Sequence, residues 1–320
     1  MKSASVGGTE HAASVAICIV TFNSAEYIGN CLDHISRQTW SNLRTIIVDN
    51  ASVDNTLSII NNHPYPTDVI KNPINRGFAA AQNQAIQAGL NSNYFLVLNP
   101  DVSMECNYIY ELINVMEKDS DIGSACGCLC FANEPNIVDS TGLAMNWARR
   151  ASDRGSGRLQ QDFIHEEDVF GVSGAAGMYR SAMIKHISLQ QEFFDEDFFV
   201  YKEDVDVAWR AQLLGWRARY IPSARALHIR QWRSSVSRSS MSLKTRKHSY
   251  INRYLSLIKN ENLGFKWWLR VPLFICYEVA INGFLILKDP AVLGAWKGSK
   301  RLLTGALQKR RQIKEKMNEL

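Results

Sequence analysis

The chain has 320 residues, 46% hydrophobic and 21% charged, which is long enough for one full α/β core plus an appendage and too apolar for a disordered chain. Its net charge of +5 is unevenly spread: Arg225 to Arg270 carries many Lys and Arg with one acid, Glu261, and basic residues dominate again from Lys297 to Lys316. Such asymmetry implies an anionic partner such as phosphate, lipid headgroup or nucleic acid.

The sequence up to Ser14 is polar and lacks the basic-then-apolar build of a signal peptide, so a disordered tail over 1–14 and work on the cytoplasmic side are expected. From there strand and helix patterns alternate. Val15 to Thr21 is a continuous apolar run, Ala25 to Ser36 has helical spacing, and Leu43 to Asp49 is β-branched. A helix over Val53 to Asn61, a strand over Asp68 to Lys71, a helix from Phe78 to Ala88 and a strand from Tyr94 to Leu98 follow. This alternation predicts βαβ units and a mostly parallel sheet, with ligands outside the carboxyl ends of its strands.

Beyond Leu98 a helix is expected over Glu105 to Lys118 and a strand from Gly123 to Phe131, in which Cys126, Cys128 and Cys130 alternate. The seven cysteines show no paired metal-type spacing. They read as small core residues suited to a reducing cytosol, with a metal site or redox switch as the alternative. Trp147 to Gln161, rich in Gly and Arg, reads as a mobile loop. A glycine turn, an acidic cluster and a short helix ended by Gly215 come next, then helices from Leu243 onward.

The expected strand ends are polar: Thr21-Phe22-Asn23, Asp49-Asn50-Ala51-Ser52 and Asn99-Pro100-Asp101. Turns there present amides and short side chains to a nucleotide, and Asp49 can accept from the imide N–H of uracil or thymine. Capping of the next helix by Asp49 or Ser52 is the alternative. Asn75-Arg76-Gly77-Phe78 opens a helix, where close backbone approach and an arginine favour an anion, the donor's nucleotide portion; a plain helix start with a solvated arginine looks the same. Asp101 can hold a divalent ion that also grips two phosphates, although Asn-Pro-Asp is equally a turn sequence.

Taken in this order, these segments resemble family 2 glycosyltransferases, particularly the bacterial rhamnosyltransferase-like branch, from Val15 to Ile229. The resemblance implies a GT-A fold and an inverting transfer of sugar from a nucleoside diphosphate donor. By resemblance Asp49 holds the base, Arg76 lies by the nucleotide, and Asp101 is the metal-binding carboxylate of the Asp-x-Asp motif. Asn99 stands at that motif's first position, so one protein carboxylate is missing and strict dependence on Mg²⁺ or Mn²⁺ is left open.

The same resemblance extends into the second half. Gly171 to Met178 is too glycine-rich for an ordinary strand; it resembles the turn before the acceptor site, placing Gly174 there, with a β-bulge as the alternative. Phe193 to Phe199 reads as aromatics flanking carboxylates, an acceptor platform. Glu203-Asp204 fall at a helix start, where acids are common; as the family's Glu-Asp pair, Glu203 meets the acceptor and Asp204 is the general base. His228 completes the metal site in the resembling enzymes, and is otherwise a structural histidine. Arg230, Trp232, Arg233, Arg246, Lys247 and Arg253 form a basic stretch that closes over the diphosphate or the acceptor, contacts lipid, or is merely solvated.

Phe265 to Leu287 has the length of a membrane span, but Lys266, Arg270, Pro272, Glu278 and Asn282 interrupt it. An interfacial helix held by the basic tail fits better, with a core or homodimer helix as the alternative. The expectation is a catalytic domain over 15–238 and a helical, membrane-proximal extension over 239–320. The first donor to consider is deoxythymidine diphosphate rhamnose, and the acceptor is a saccharide or a polyprenyl-diphosphate-linked sugar in bacterial cell-surface polysaccharide synthesis. An inactive nucleotide-sugar scaffold, favoured by Asn99, and a nucleotidyltransferase are the rivals. No recognised nucleic-acid module accompanies the basic stretches.

Overall fold

A run such as Val15–Thr21 suits a strand covered on both faces. In the computed structural model, which describes residues 12–230, 241–262 and 268–320, it is β1, and its residues are nearly all buried. The first half follows the expected alternation: α1 (Ile28–Ser36), β2 (Leu43–Asp49), α2 (Thr56–Asn62), β3 (Asp68–Lys71), α3 (Phe78–Ala88) and β4 (Tyr94–Leu98). In α1, Ile28, Cys31, Leu32 and Ile35 recur at helical spacing and are buried. α3 buries Ala79, Ala80, Ala81 and Ala85, small side chains that let the helix lie close on β1 and β2.

The remaining elements are β5 (Val102–Met104), α4 (Tyr108–Met116), β6 (Ile122–Phe131), β7 (Glu134–Ser140), β8 (Leu143–Met145), β9 (Ala151–Asp153), β10 (Glu167–Val169), β11 (Ala176–Arg180), α5 (Ser181–Ile187), α6 (Glu203–Leu213) and β12 (Arg217–His228). The main sheet runs β10-β12-β6-β11-β4-β1-β2-β3, with β5 beside β12 and β7 beside β6. β3, β2, β1 and β4 are mutually parallel, as are β6 and β12, and antiparallel β11 joins the two blocks. The chain leaves β1 toward β2 and returns on its other side as β4, so the switch point where α/β sheets bind ligands lies between β1 and β4. Thr21 pairs with Asp49 and Asp49 with Lys71, which brings the polar strand ends to one level.

Some expectations need correction. The segment 147–161 is no free loop: β9 pairs with β8, Arg149 forms a two-pronged ion pair with Glu261, and Arg154 bonds Glu167. The aromatics of the 193–199 segment form no exposed platform, since Phe193, Phe194 and Phe198 are buried. The expected tail lies outside the described residues through position 11, and Ala12 to Ser14 are held by Asn42, Trp40 and Asn93. Cys126, Cys128 and Cys130 are buried in β6.

Three α-helices, α7 (Leu243–Asn260), α8 (Val271–Lys288) and α9 (Lys300–Asn318), complete the described chain together with a 3₁₀ helix over Pro290–Trp296. α7 and α9 are joined to the sheet domain by buried charge. Lys259 ion-pairs with Asp195 and lies 2.9 Å from Asp206; Lys309 also pairs with Asp195 and lies 3.1 Å from Asp197. Arg210 holds Asp206 at 3.0 Å and donates to the carbonyls of Ile187 and Phe193. α8 differs: its polar residues turn inward, Glu278 to Arg253 and Tyr254, Asn282 to Tyr250. Leu273, Ile275, Val279, Phe284, Ile286 and Leu287 are exposed around the rest of its circumference. By length and composition α8 could cross a membrane.

Removing one partner from the buried network leaves uncompensated charge, so Lys259→Ala should destabilise the protein by about 3–5 kcal/mol in denaturant unfolding. Burial opposes ionisation of Asp195 and Asp206, but the facing Lys and Arg charges prevail and hold both carboxyls below the usual range. The unfolded chain therefore binds more protons than the folded one in acid. The network's contribution should be present above about pH 4 and fall as pH drops toward the folded values.

Candidate active site

The strand ends interlock through their own side chains. Asp49 is buried and its carboxylate accepts from the Thr21 hydroxyl at 2.9 Å, the Ser52 amide at 3.0 Å and the Ser52 hydroxyl at 2.5 Å. An ionised carboxylate has about four acceptor positions, so a single one is left for a base. Asn23, at φ 52°, accepts from Val53 N–H at 2.9 Å, and Ser52 accepts from Asn23 N–H. Asn50 is wholly buried: it donates to Gly77 O at 3.0 Å and accepts from Asn72 and the Arg76 amide. Its side chain shapes the 72–77 turn, where a direct ligand contact was expected.

The start of α3 also differs from expectation. Gly77 has φ +87°, and a Cβ there would lie 2.6 Å from the Phe199 carbonyl oxygen. That oxygen accepts from Phe78 N–H at 2.6 Å. The leading amide of the helix is therefore used within the protein, and the Phe199 carbonyl by itself requires glycine at position 77. Arg76 stays half-exposed, 3.9 Å from Glu196.

At the end of β4, Asn99 N–H donates to Ala175 O, and Ile229 N–H donates to Asp101 O. The second bond ties the 99–101 turn to the end of β12 and sets Asp101 Oδ1 3.3 Å from His228 Nε2. Oδ1 is buried and makes no well-formed hydrogen bond. The other ring nitrogen, Nδ1, lies 2.7 Å from Asp139. Asp139 holds Arg230 at 2.6 Å, and Arg230 reaches Asp153 at 2.8 Å. Burial opposes charge on His228, but Asp101 and Asp139 outweigh it and hold its pKa up at about 9. The pair fits a divalent ion: a buried carboxylate oxygen without a well-formed hydrogen bond faces a ring nitrogen whose far side is oriented by a carboxylate. Among the described residues no third His, Cys, Asp or Glu joins them; the neutral Asn99 stands where a second carboxylate was expected.

Asp204 opens α6. Its Oδ2 accepts from Gly174 N–H at 3.3 Å and its Oδ1 from Val205 N–H at 2.8 Å. A Cβ on Gly174 would sit 3.7 Å from the Asp204 Cβ, so the turn passes close beside the carboxylate. Asp204 and Glu203 line a cleft of about 170 Å³ with Asp153, Ser173, Lys202 and Arg230. Burial, and then the Asp204 charge, pushes Glu203 up to about 8, so it is protonated at neutral pH. Burial also raises Asp204; Lys202 works against that rise and Asp153 adds to it. Asp204 is thus held with its proton affinity above that of a free aspartate.

The turn before Asp204 is strained, with φ of 60° at Phe199, 71° at Tyr201 and 73° at Lys202. Asn252 of α7, fully buried, donates to the carbonyls of Phe198, Val200 and Tyr201 at 2.8–3.0 Å and holds it in place. The sequence reading missed Asn252, Asp139 and Asp153. Asn252 had a signal, as a polar residue among the apolar positions of an amphipathic helix beside Ile251 and Leu255; the two acids, single residues in short strands, had none. The basic stretch is largely committed: Arg230 to Asp139 and Asp153, Arg246 to Asp289, Arg253 to Glu278. Trp232 and Arg233 lie outside the described residues.

A mostly parallel sheet of this order, with helices on both faces and a helical C-terminal part, is that of the GT-A fold. Solved structures agree on the fold: GalNAc-T7 with UDP, GalNAc and Mn²⁺ aligns at TM-score 0.59 and 14% identity, covering 78% of this chain and 48% of that one. S. aureus TarS 1–349 aligns at 0.58 and 15%, covering 93% and 82%, and the mannosyltransferase PcManGT from Pyrobaculum calidifontis, in complex with GDP-Man and Mn²⁺, at 0.55 and 15%, covering 96% and 86%. Residues 16–187 match the model of glycosyl transferase family 2, and the chain belongs to that family. Among curated proteins it is 23% identical over 212 residues to poly-beta-1,6-N-acetyl-D-glucosamine synthase of Staphylococcus aureus (strain COL), 66% of this chain and 48% of that protein. The Staphylococcus epidermidis counterpart is 22% identical over 214 residues. The chain spans about half the length of these curated relatives.

The electrostatics of the cleft set a testable order. In a carbon NMR titration of labelled aspartates, Asp204 should titrate above the ordinary value of about 4. Lys202→Gln removes a stabilising positive charge and should raise it further; Asp153→Asn removes a repelling negative charge and should lower it.

Proposed function

We propose that the chain is an inverting glycosyltransferase that moves a sugar from a nucleoside diphosphate onto a hydroxyl of a saccharide or lipid-linked acceptor in bacterial polysaccharide synthesis. The observation that carries the reading is the recessed Asp204 carboxylate, beside the Gly174 amide, in a cleft linked through Asp153, Arg230, Asp139 and His228 to Asp101 at the nucleotide face. The family supports it, as do relatives named as polysaccharide synthases and neighbours solved with UDP or GDP-Man.

In the reaction, the acceptor oxygen bonds to the anomeric carbon while the bond from that carbon to the diphosphate oxygen breaks. The electron pair leaves with the nucleoside diphosphate, and Asp204 takes the hydroxyl proton. Attack from the face opposite the leaving group inverts the anomeric centre. Glu203, neutral at pH 7, leaves the single negative charge of the pair on Asp204. Asp49, Thr21, Ser52 and Asn23 form the nucleotide face, and Asp49 retains one acceptor position for a base N–H. Asp101 and His228 would hold Mg²⁺ or Mn²⁺, which would supply positive charge toward the diphosphate leaving group. The catalytic unit is assigned to 15–238, with 239–320 as the extension carrying α8. The exposed apolar residues of α8 and the basic α9 support attachment to the inner face of the cell membrane. Deoxythymidine diphosphate rhamnose is the first donor proposed.

The test is nucleoside diphosphate release by purified protein from a panel of nucleotide sugars, with Mg²⁺, Mn²⁺ or chelator. One donor should turn over, and Asp204→Asn should lower its rate by about 10²–10⁴ without loss of donor binding. Binding without turnover, even with lipid-linked acceptors present, would support the inactive scaffold instead.

A further inference from the structure

Beside the Asp204 cleft lies a second and larger cavity, of about 860 Å³, between the sheet domain, α7 and α8. The two spaces share Ala151, Asp153, Lys202 and Ser249 on their walls, so a molecule in the large cavity extends toward the base. One wall is cationic: Arg149, Arg150, Lys202, Arg230, Arg246 and Arg253 all line it. Arg149, Arg230, Arg246 and Arg253 are balanced by carboxylates. Arg150 and Lys202 have no ion-pair partner among the described residues, and Arg246 and Arg253 each keep a buried Nε–H without an acceptor there. Anionic oxygens entering this space would meet the Arg150 guanidinium, the Lys202 ammonium at the mouth of the Asp204 cleft, and two unused donors.

The opposite wall is apolar and belongs to α8: Tyr277, Ala280, Ile281, Phe284 and Leu285. On the same helix, Phe284, Ile286 and Leu287 are exposed apolar side chains. A soluble phosphorylated sugar has no use for that wall, whereas a chain of isoprene units attached to a phosphate does, since burying its methylenes removes apolar surface from water.

Resting on the transferase reading above, we propose that this cavity holds the anionic linkage and first isoprene units of a polyisoprenyl-diphosphate-linked saccharide acceptor. The diphosphate lies by Arg150 and Lys202, the isoprenoid follows α8 outward, and the saccharide hydroxyl reaches Asp204. α8 therefore serves as one side of the acceptor site as well as a membrane contact.

The experiment uses the full chain, with Mn²⁺ and saturating nucleoside diphosphate so that the donor face is filled, and titrates farnesyl diphosphate against tryptophan fluorescence, Trp209 being on the cavity wall. Farnesyl diphosphate should bind; farnesol and inorganic diphosphate should bind at least about tenfold more weakly, because each offers half of the recognition. Arg150→Glu and Phe284→Gln, both at exposed positions where the fold tolerates change, should each weaken farnesyl diphosphate by about tenfold or more. Inorganic diphosphate binding as tightly as the farnesyl ester would overturn the lipid assignment in favour of a soluble phosphate, and unaltered affinity in both variants would overturn the location. Nucleoside diphosphate binding without farnesyl diphosphate binding would overturn this inference and leave the transferase reading standing. Farnesyl diphosphate binding without any nucleoside diphosphate binding would sink the transferase reading and keep the cavity.

Discussion

The Phe199 carbonyl joins the two halves of the site. It accepts the first amide of α3, and it sits in the strained turn that delivers Lys202, Glu203 and Asp204 to the start of α6. Its neighbour Gly77 has room for hydrogen alone. Strain of this kind persists only where the surroundings over-determine it, and here Asn252 supplies the constraint through the carbonyls on either side. Asn252 in turn lies on α7, whose Lys259 is buried against Asp195 and Asp206. The position of Asp204, the proposed base, thus depends on a helix that follows it in sequence, and α7 is part of the cleft's framework.

Charge is distributed on the same logic. From Asp101 through His228, Asp139 and Arg230 to Asp153, acid and base alternate, each within 3.3 Å of the next. A buried network in which nearly every member is paired fixes side-chain geometry. The exceptions are informative: Asp101 Oδ1 at one end, and the raised carboxyls of Glu203 and Asp204 by the other. Perturbed and orphaned groups of this kind concentrate where ligands bind or protons move.

The sheet was legible because its strands are short apolar runs bounded by polar turns; β2, β3 and β4 end where hydrophobicity stops. Asp101 and His228 are far apart in sequence, and the resemblance, not spacing, placed them together. What the residues did not disclose is which polar groups are spent on the protein itself. Asn50, Gly77 and the aromatics of the 193–199 segment read as ligand contacts, yet the first two shape the 72–77 turn and the aromatics are buried. The arginines of 147–161 read as a loop because their partners, Glu167 and Glu261, lie elsewhere in the chain. Long-range pairing of this sort has no local period to betray it.

Under the proposed function, Asp101 and His228 would hold the divalent ion together with the donor's diphosphate. The direct measurement is Mn²⁺ binding by electron paramagnetic resonance, with and without nucleoside diphosphate, in wild type, Asp101→Asn and His228→Asn. Two protein ligands are few for a hard cation that prefers about six oxygens. The account predicts weak binding to the protein alone, binding at least about tenfold tighter with nucleoside diphosphate than to either component separately, and loss of that gain in both variants. Mn²⁺ bound equally well without nucleotide, or untouched by either substitution, would contradict it.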